Sequence, residues 1–319
     1  MQKILLLLLS AYRKILLFLF SEYKKIARPT QKRGIGRIYL SRFVHDALLV
    51  NQIITNPLIA RLTSNPVEVQ GHKMFLDSKD SLWLLNGGVY EPAETELVKK
   101  EIKRGDVVLD VGAHIGYYTL IFARLVGEEG KVFAFEPNLD SFALLEKNVK
   151  INGYKNVVLV KKAVSDKTGR IRLFLSAYND ADNRIYDSHD GSPSIEVEVV
   201  RLDDYFKKYD GKIDFIKIDT QGAEGGVILG MSALLKKNKN IKLLTEFWPH
   251  GLKKAGTEPE GYLRLLIERD FKLFEVSEQE GKIKSVTPYD LIDAYPPETK
   301  DYTSIFCIRN IKNNPSQRE

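Results

Sequence analysis

From residue 91 onward, short apolar runs alternate with stretches of helical period. The runs at 107–111, 132–135, 157–164, 214–219, 243–247, 271–276 and 302–309 read as strands. Between them, 139–151 and 260–269 read as helices, the first closed by Asn152-Gly153. Glu91-Pro92 opens another helix, running to about Lys103, because proline suits the first helical turn. Two further β segments, 171–175 and 194–200, flank a polar loop at 178–192. That loop reads either as a lid or as a solvated connection. The alternation predicts an α/β fold with a seven-stranded, mostly parallel sheet and helices on both faces.

Three domains are expected: a basic N-terminal extension at 1–35, helices and a hairpin at 36–100, and the α/β domain at 101–312. Within 36–100, residues 36–65 read as short helices, and 67–69 and 73–76 as a hairpin around Gly71-His72. Residues 36–100 are expected to cover the active site. The tail 313–319 reads as loose.

The extension changes the picture most. Lys3, Arg13, Lys14, Lys24, Lys25, Arg28, Lys32, Arg33 and Arg37 face a single acid, Glu22. Its apolar runs, 4–9 and 15–20, are each too short to span a bilayer. At about 100° per residue, Lys3, Ser10, Arg13, Lys14, Ser21, Lys24 and Lys25 share one sector of a helix. Leu6, Leu7 and Leu17 intrude on that sector. A basic amphipathic helix at 1–28, lying in the cytoplasmic membrane interface, is the expectation. Packing on the enzyme or on a partner subunit, and a signal anchor, are the alternatives. The whole chain of 319 residues carries +6, which permits an anionic partner without naming one. One cysteine, Cys307, excludes an internal disulfide and sits in an apolar run.

The chemistry begins at Asp110, where an apolar run ends in a carboxylate and turns through Gly112 and Gly116. The next run ends in Glu136. Strand, glycine turn, helix, strand and acid form an adenosine-cofactor site. His114 stands where a dinucleotide fold places its middle glycine, and a side chain there crowds a diphosphate. S-adenosylmethionine has no phosphate. Asp110 would take its ammonium, backbone N–H groups at the next helix its carboxylate, and Glu136 its ribose diol.

Taken in order, several segments resemble the FkbM-type methyltransferases. They are Tyr90-Glu91-Pro92, 105–116, 135–138, Asn148, Asn152-Gly153, 163–166, 201–204 and 216–224. The resemblance covers about 65–310. It implies a Rossmann-like class I methyltransferase fold, S-adenosyl-L-methionine as cofactor, and O-methylation of a hydroxyl on a sugar, glycan or natural product. It also implies a cofactor set of Asp110, Gly112, Ala113, His114, Gly116, Glu136, Pro137, Ala163 and Asp166. The family carries Asn at position 114 and an acid at 221, where this chain has His114 and Gln221.

Methyl transfer to an alcohol needs alignment, exclusion of water and a base near the methyl group. Asp219 is the first candidate base, because ligands of open α/β sheets lie beyond the carboxyl ends of the strands. His250 and Glu224 are the others, with Glu224 equally placed to cap a helix. Glu91, Glu246 and Trp248 are candidates for holding a sugar acceptor. Asp219 with Glu246 also suggests a divalent cation, but no Asp-Asn pair follows to complete such a site, so no metal is expected. An RNA methyltransferase is the competing enzyme reading. The chain lacks an Asn-Pro-Pro type loop after 214–219, and its basic residues lie among leucines, so no nucleic acid is expected. A non-enzymatic scaffold is a third reading, opposed by the complete Asp110, Gly112, Gly116 and Glu136 set. The oligomeric state is left open.

Overall fold

The computed structural model describes residues 65–309, apart from 79–81, 83, 86–87, 177–178, 188 and 190. The amphipathic extension, the short helices expected at 36–65 and the tail lie outside the described residues. The chain divides into two compact units, 1–88 and 89–319. In the first, β1 (Val67–Val69) and β2 (His72–Met74) form an antiparallel hairpin. Its turn is Gln70-Gly71, one residue before the expected position. Both residues have positive φ (51° and 76°), the twist that a two-residue hairpin turn requires.

The second unit is built on an eight-stranded sheet. Its strands are β3 (Val107–Val111), β4 (Lys131–Phe135), β5 (Val157–Val160), β9 (Phe215–Ile218), β10 (Lys242–Phe247), β11 (Phe271–Ser277), β12 (Lys282–Ser285) and β13 (Thr303–Arg309). The spatial order is β12-β11-β13-β10-β9-β3-β4-β5. Strands β5, β4, β3, β9 and β10 run parallel, and β13 is antiparallel to both β10 and β11. This is the doubly wound, mostly parallel sheet expected, with one strand more. The addition, β12, is an exposed Lys-Ile-Lys-Ser edge folded back on β11 through Gly281, and its lysines discourage further pairing.

The run at 157–164 is not one strand. It breaks at Lys161-Lys162, and β6 (Ala163–Val164) joins β7 (Gly169–Phe174) and β8 (Ser194–Val200) in a separate three-stranded sheet. The polar loop between β7 and β8 is tied back to the sheet where Arg184 pairs with Phe174.

Helices α1 (Pro92–Glu101), α2 (Tyr117–Val126) and α3 (Leu139–Ile151) precede or connect the first strands. The short α4 (Leu202–Tyr205), α5 (Glu224–Leu229), α6 (Ser232–Lys237) and α7 (Pro249–Lys254) follow, then α8 (Pro259–Ile267) and α9 (Pro288–Ala294). α2 is apolar nearly all round and buried along most of its length. β9 is buried at every position and lies between β3 and β10 in the sheet. The parallel strands therefore bring Asp110, Glu136, Asp219 and Glu246 to one edge of the sheet.

Candidate active site

The cofactor end is set by close backbone approach. Gly112 has φ 89°, and a Cβ there would stand 1.8 Å from the carbonyl oxygen of Asp219. No side chain fits, because β9 delivers the Asp219 backbone directly against the turn after β3. Gly116, at φ 95°, caps α2, and a Cβ there would meet the Leu145 side chain at 2.7 Å. The N–H groups of Gly112 and Ala113 donate to the Phe135 carbonyl (3.0 and 2.9 Å), and Asn148 Nδ2 donates to the Ile115 carbonyl (2.8 Å). The turn is thus rigid before any ligand arrives.

Glu136 receives the His114 N–H at Oε2 and the Asn138 N–H at Oε1, both at 2.8 Å. Each oxygen keeps acceptor capacity, so the pair still matches a vicinal diol. Burial pushes the Glu136 carboxyl up to about 7, against the pull of these two N–H groups. Asp110 is 1% exposed and accepts from Thr119 Oγ1 at 2.5 Å. Burial carries its pKa to about 6. Two desolvated carboxylates at neighbouring strand ends are suited to an ammonium and a ribose, and Ala113 and His114 leave no phosphate cradle. These residues fit S-adenosylmethionine. Pro137 follows Glu136 directly, and Ala163 is buried in the second sheet. Asp166 is exposed and accepts from Ser165 Oγ at 3.1 Å.

The acceptor end is a cluster of acids around one buried lysine. Lys217 Nζ lies 3.2 Å from Asp219 Oδ2 and 4.5 Å above the Tyr118 ring. Burial works against its charge, but Asp219, Glu91, Glu94 and Asp110 outweigh burial and hold the ammonium above its usual pKa. Gln221 Nε2 donates to Asp219 Oδ1 (2.9 Å) and reaches Glu246 Oε2 (3.4 Å). Asp219 is therefore clamped between a cation and an amide. Burial, then the charges of Asp219 and Glu224, raise Glu246 well above the usual carboxylate range. Burial, then Glu94, does the same for Glu91, whose Oε2 accepts from Tyr118 at 3.0 Å.

The other candidates have more structural surroundings. Glu224 is fully buried, and its Oε1 accepts from the Thr220 N–H, the Thr220 hydroxyl and the Gly222 N–H (2.8, 2.9 and 3.2 Å). It closes the loop that carries Gln221. His250 is on the first turn of α7, where Pro249 starts a helix. Its Nδ1 is 3.2 Å from the Pro297 carbonyl, and its ring lies 5.8 Å from that of Trp248. The Trp248 indole N–H is buried with no protein acceptor.

Lys217, Glu94, Tyr118 and Tyr302 were not singled out from the sequence. Lys217 had a signal: a charged residue inside an otherwise apolar, buried strand. Among the described residues, no group of three or more His, Cys, Asp or Glu is disposed to hold a metal ion.

The sheet order and the acid-ended strands β3 and β4 define a class I, S-adenosylmethionine-dependent methyltransferase. The chain belongs to the family of the methyltransferase FkbM domain, whose model matches residues 110–273. A hexuronic acid methyltransferase, AglP of Haloferax volcanii, is 27% identical over 218 residues, 67% of this chain and 82% of that protein. The 2-O-methyltransferase NoeI of Sinorhizobium fredii is 30% identical over 178 residues, 48% of this chain and 71% of its own length. The 31-O-demethyl-FK506 methyltransferase FkbM of Streptomyces tacrolimicus is 28% identical over 160 residues, 41% of this chain and 61% of that protein.

Proposed function

We propose that the chain methylates a hydroxyl of a sugar, free or within a glycan or lipid-linked saccharide, and that Asp219 is the base. One observation carries this reading. The Asp219 backbone touches Gly112 in the cofactor turn, while its carboxylate is held by Lys217 and Gln221 at the end of β9. The same residue thus borders both the cofactor and the acceptor. The names of AglP and NoeI support a saccharide, and that of FkbM keeps a soluble natural product as the second reading.

When bound, S-adenosylmethionine supplies an electrophilic methyl group. Asp219 accepts the proton of the acceptor hydroxyl as the oxygen attacks. Lys217 and Gln221 hold that carboxylate in place. Glu246 and Glu91 accept from neighbouring hydroxyls, and the Trp248 indole N–H offers a donor. Peripheral attachment at the cytoplasmic membrane face, through residues 1–28, is part of the proposal; no described helix is long and apolar enough to cross a membrane.

The test is turnover of methyl glycosides and lipid-linked saccharides, read by mass and by stability of the product to mild alkali. A stable ether supports the reading; an ester, or turnover confined to non-sugar alcohols, sinks it. Asp219→Asn should lower kcat by about 100-fold or more while leaving cofactor affinity within a few-fold. An unchanged kcat would remove Asp219 as the base.

A further inference from the structure

The acceptor edge is acidic, which narrows the acceptor. Resting on the sugar reading above, we propose that the sugar carries no carboxylate or phosphate beside its reacting hydroxyl, and that it lies against Tyr302.

Glu91, Asp219 and Glu246 are all half-buried at this edge, with Glu94 and Glu224 fully buried behind them. The cation among them, Lys217, is engaged by Asp219 and covered by the Tyr118 ring. An anionic sugar would have to lose water among carboxyl groups whose cation, Lys217, is already engaged by Asp219. Uncharged hydroxyls, or an amine, meet acceptors at every turn.

Tyr302 is placed by strand register. β13 runs antiparallel to β10 and their last pair is Phe247 with Thr303, so Tyr302 stands opposite the point where Trp248 leaves the sheet. It is 60% exposed, an unusual amount for a tyrosine beside a buried acid cluster. Burial, then the charges of Glu246, Glu91 and Asp219, push its hydroxyl pKa up. An exposed tyrosine at this position offers its ring to the C–H face of a sugar and leaves the hydroxyls to the acids.

The full chain with S-adenosylmethionine would be assayed against methyl glycosides of a neutral hexose, a hexosamine, a hexuronate and a hexose phosphate. The neutral or amino sugar should exceed both acidic ones by about 100-fold in kcat/KM. Equal or better turnover of the hexuronate or phosphate overturns the proposal while leaving the sugar reading intact. Turnover of none of the sugars, with cofactor binding retained, removes the sugar reading and this proposal with it. Tyr302→Ala should raise KM for the favoured sugar about tenfold with kcat within twofold, and Tyr302→Phe should restore KM, as ring contact requires. A fall in kcat and melting temperature at constant KM would make Tyr302 structural and end its assignment.

Discussion

At the residue scale, strain marks the site. Glu91, His114 and Gln221 all have left-handed backbone (φ 45°, 49° and 55°), and each holds a side chain or N–H group in the arrangement described. Such geometry costs roughly 1–3 kcal/mol per residue and persists where its surroundings enforce it. Gly112 is the residue least able to change. Gly112→Ala should reduce S-adenosylmethionine affinity by at least about 100-fold, since its Cβ would overlap the Asp219 carbonyl. Gly153→Ala is the control, because it also has positive φ (73°) but its Cβ meets nothing within 4 Å. Calorimetric titration of both variants decides; equal affinities would contradict the close approach. Asp110 and Glu136 predict a pH effect. Their folded pKa values, about 6 and about 7, lie above the ordinary carboxyl range. Their contribution to stability is therefore complete below about pH 4 and is lost as pH rises through 6 to 7, about 3 kcal/mol for each. The cofactor-free protein should melt lower at pH 8 than at pH 5 on this account. Binding of the cofactor ammonium favours ionised Asp110, so affinity should rise over the same interval with proton release, read by titration in buffers of different ionisation enthalpy. Proton uptake would exclude Asp110 as the ammonium's partner.

At the element scale, α1 shows what a linear reading loses. Pro92 announces its start, and the helix forms there, but its N-terminus is not capped from within. Both oxygens of Glu278, on the β11–β12 hairpin, accept from the N–H groups of Ala93 and Glu94, each at 3.0 Å. Glu278→Ala should destabilise the protein by about 1 kcal/mol in urea unfolding, with part regained in Glu278→Gln. No change would show that water caps the helix equally well. The strands other than β6 and the exposed β12 were legible because each is a short apolar run between turn residues, and Asp110 and Glu136 were legible because they end such runs. The partners of Glu94 were not: Glu278 and Ser304 lie 184 and 210 residues away, and nothing local announces them. Lys161-Lys162, which splits 157–164 between two sheets, was visible but carries no sign that the chain changes sheet.

At the scale of the whole molecule, charge is divided. The first 37 residues hold nine basic residues and one acid, so the remaining 282 are net −2 although the chain is +6. RNA recognition calls for a basic face where the base is handled, and the basic excess of this chain lies within residues 1–37. Residues 1–28 carry Lys3, Arg13, Lys14, Lys24, Lys25 and Arg28 among leucine, isoleucine and phenylalanine. Each basic residue near an anionic leaflet is worth about 1 kcal/mol, and burial of apolar side chains would add a contribution that salt does not screen. The full chain should therefore sediment with vesicles containing anionic lipid, more weakly with neutral vesicles, and only in part be released by high salt. A chain lacking residues 1–28 should stay in the supernatant and bind S-adenosylmethionine with unchanged affinity, because the cofactor residues all lie beyond residue 109. Sedimentation of the truncated chain would move the membrane contact elsewhere. Failure of the full chain to sediment would assign the extension to packing against protein, and the acceptor would then no longer be expected at a bilayer.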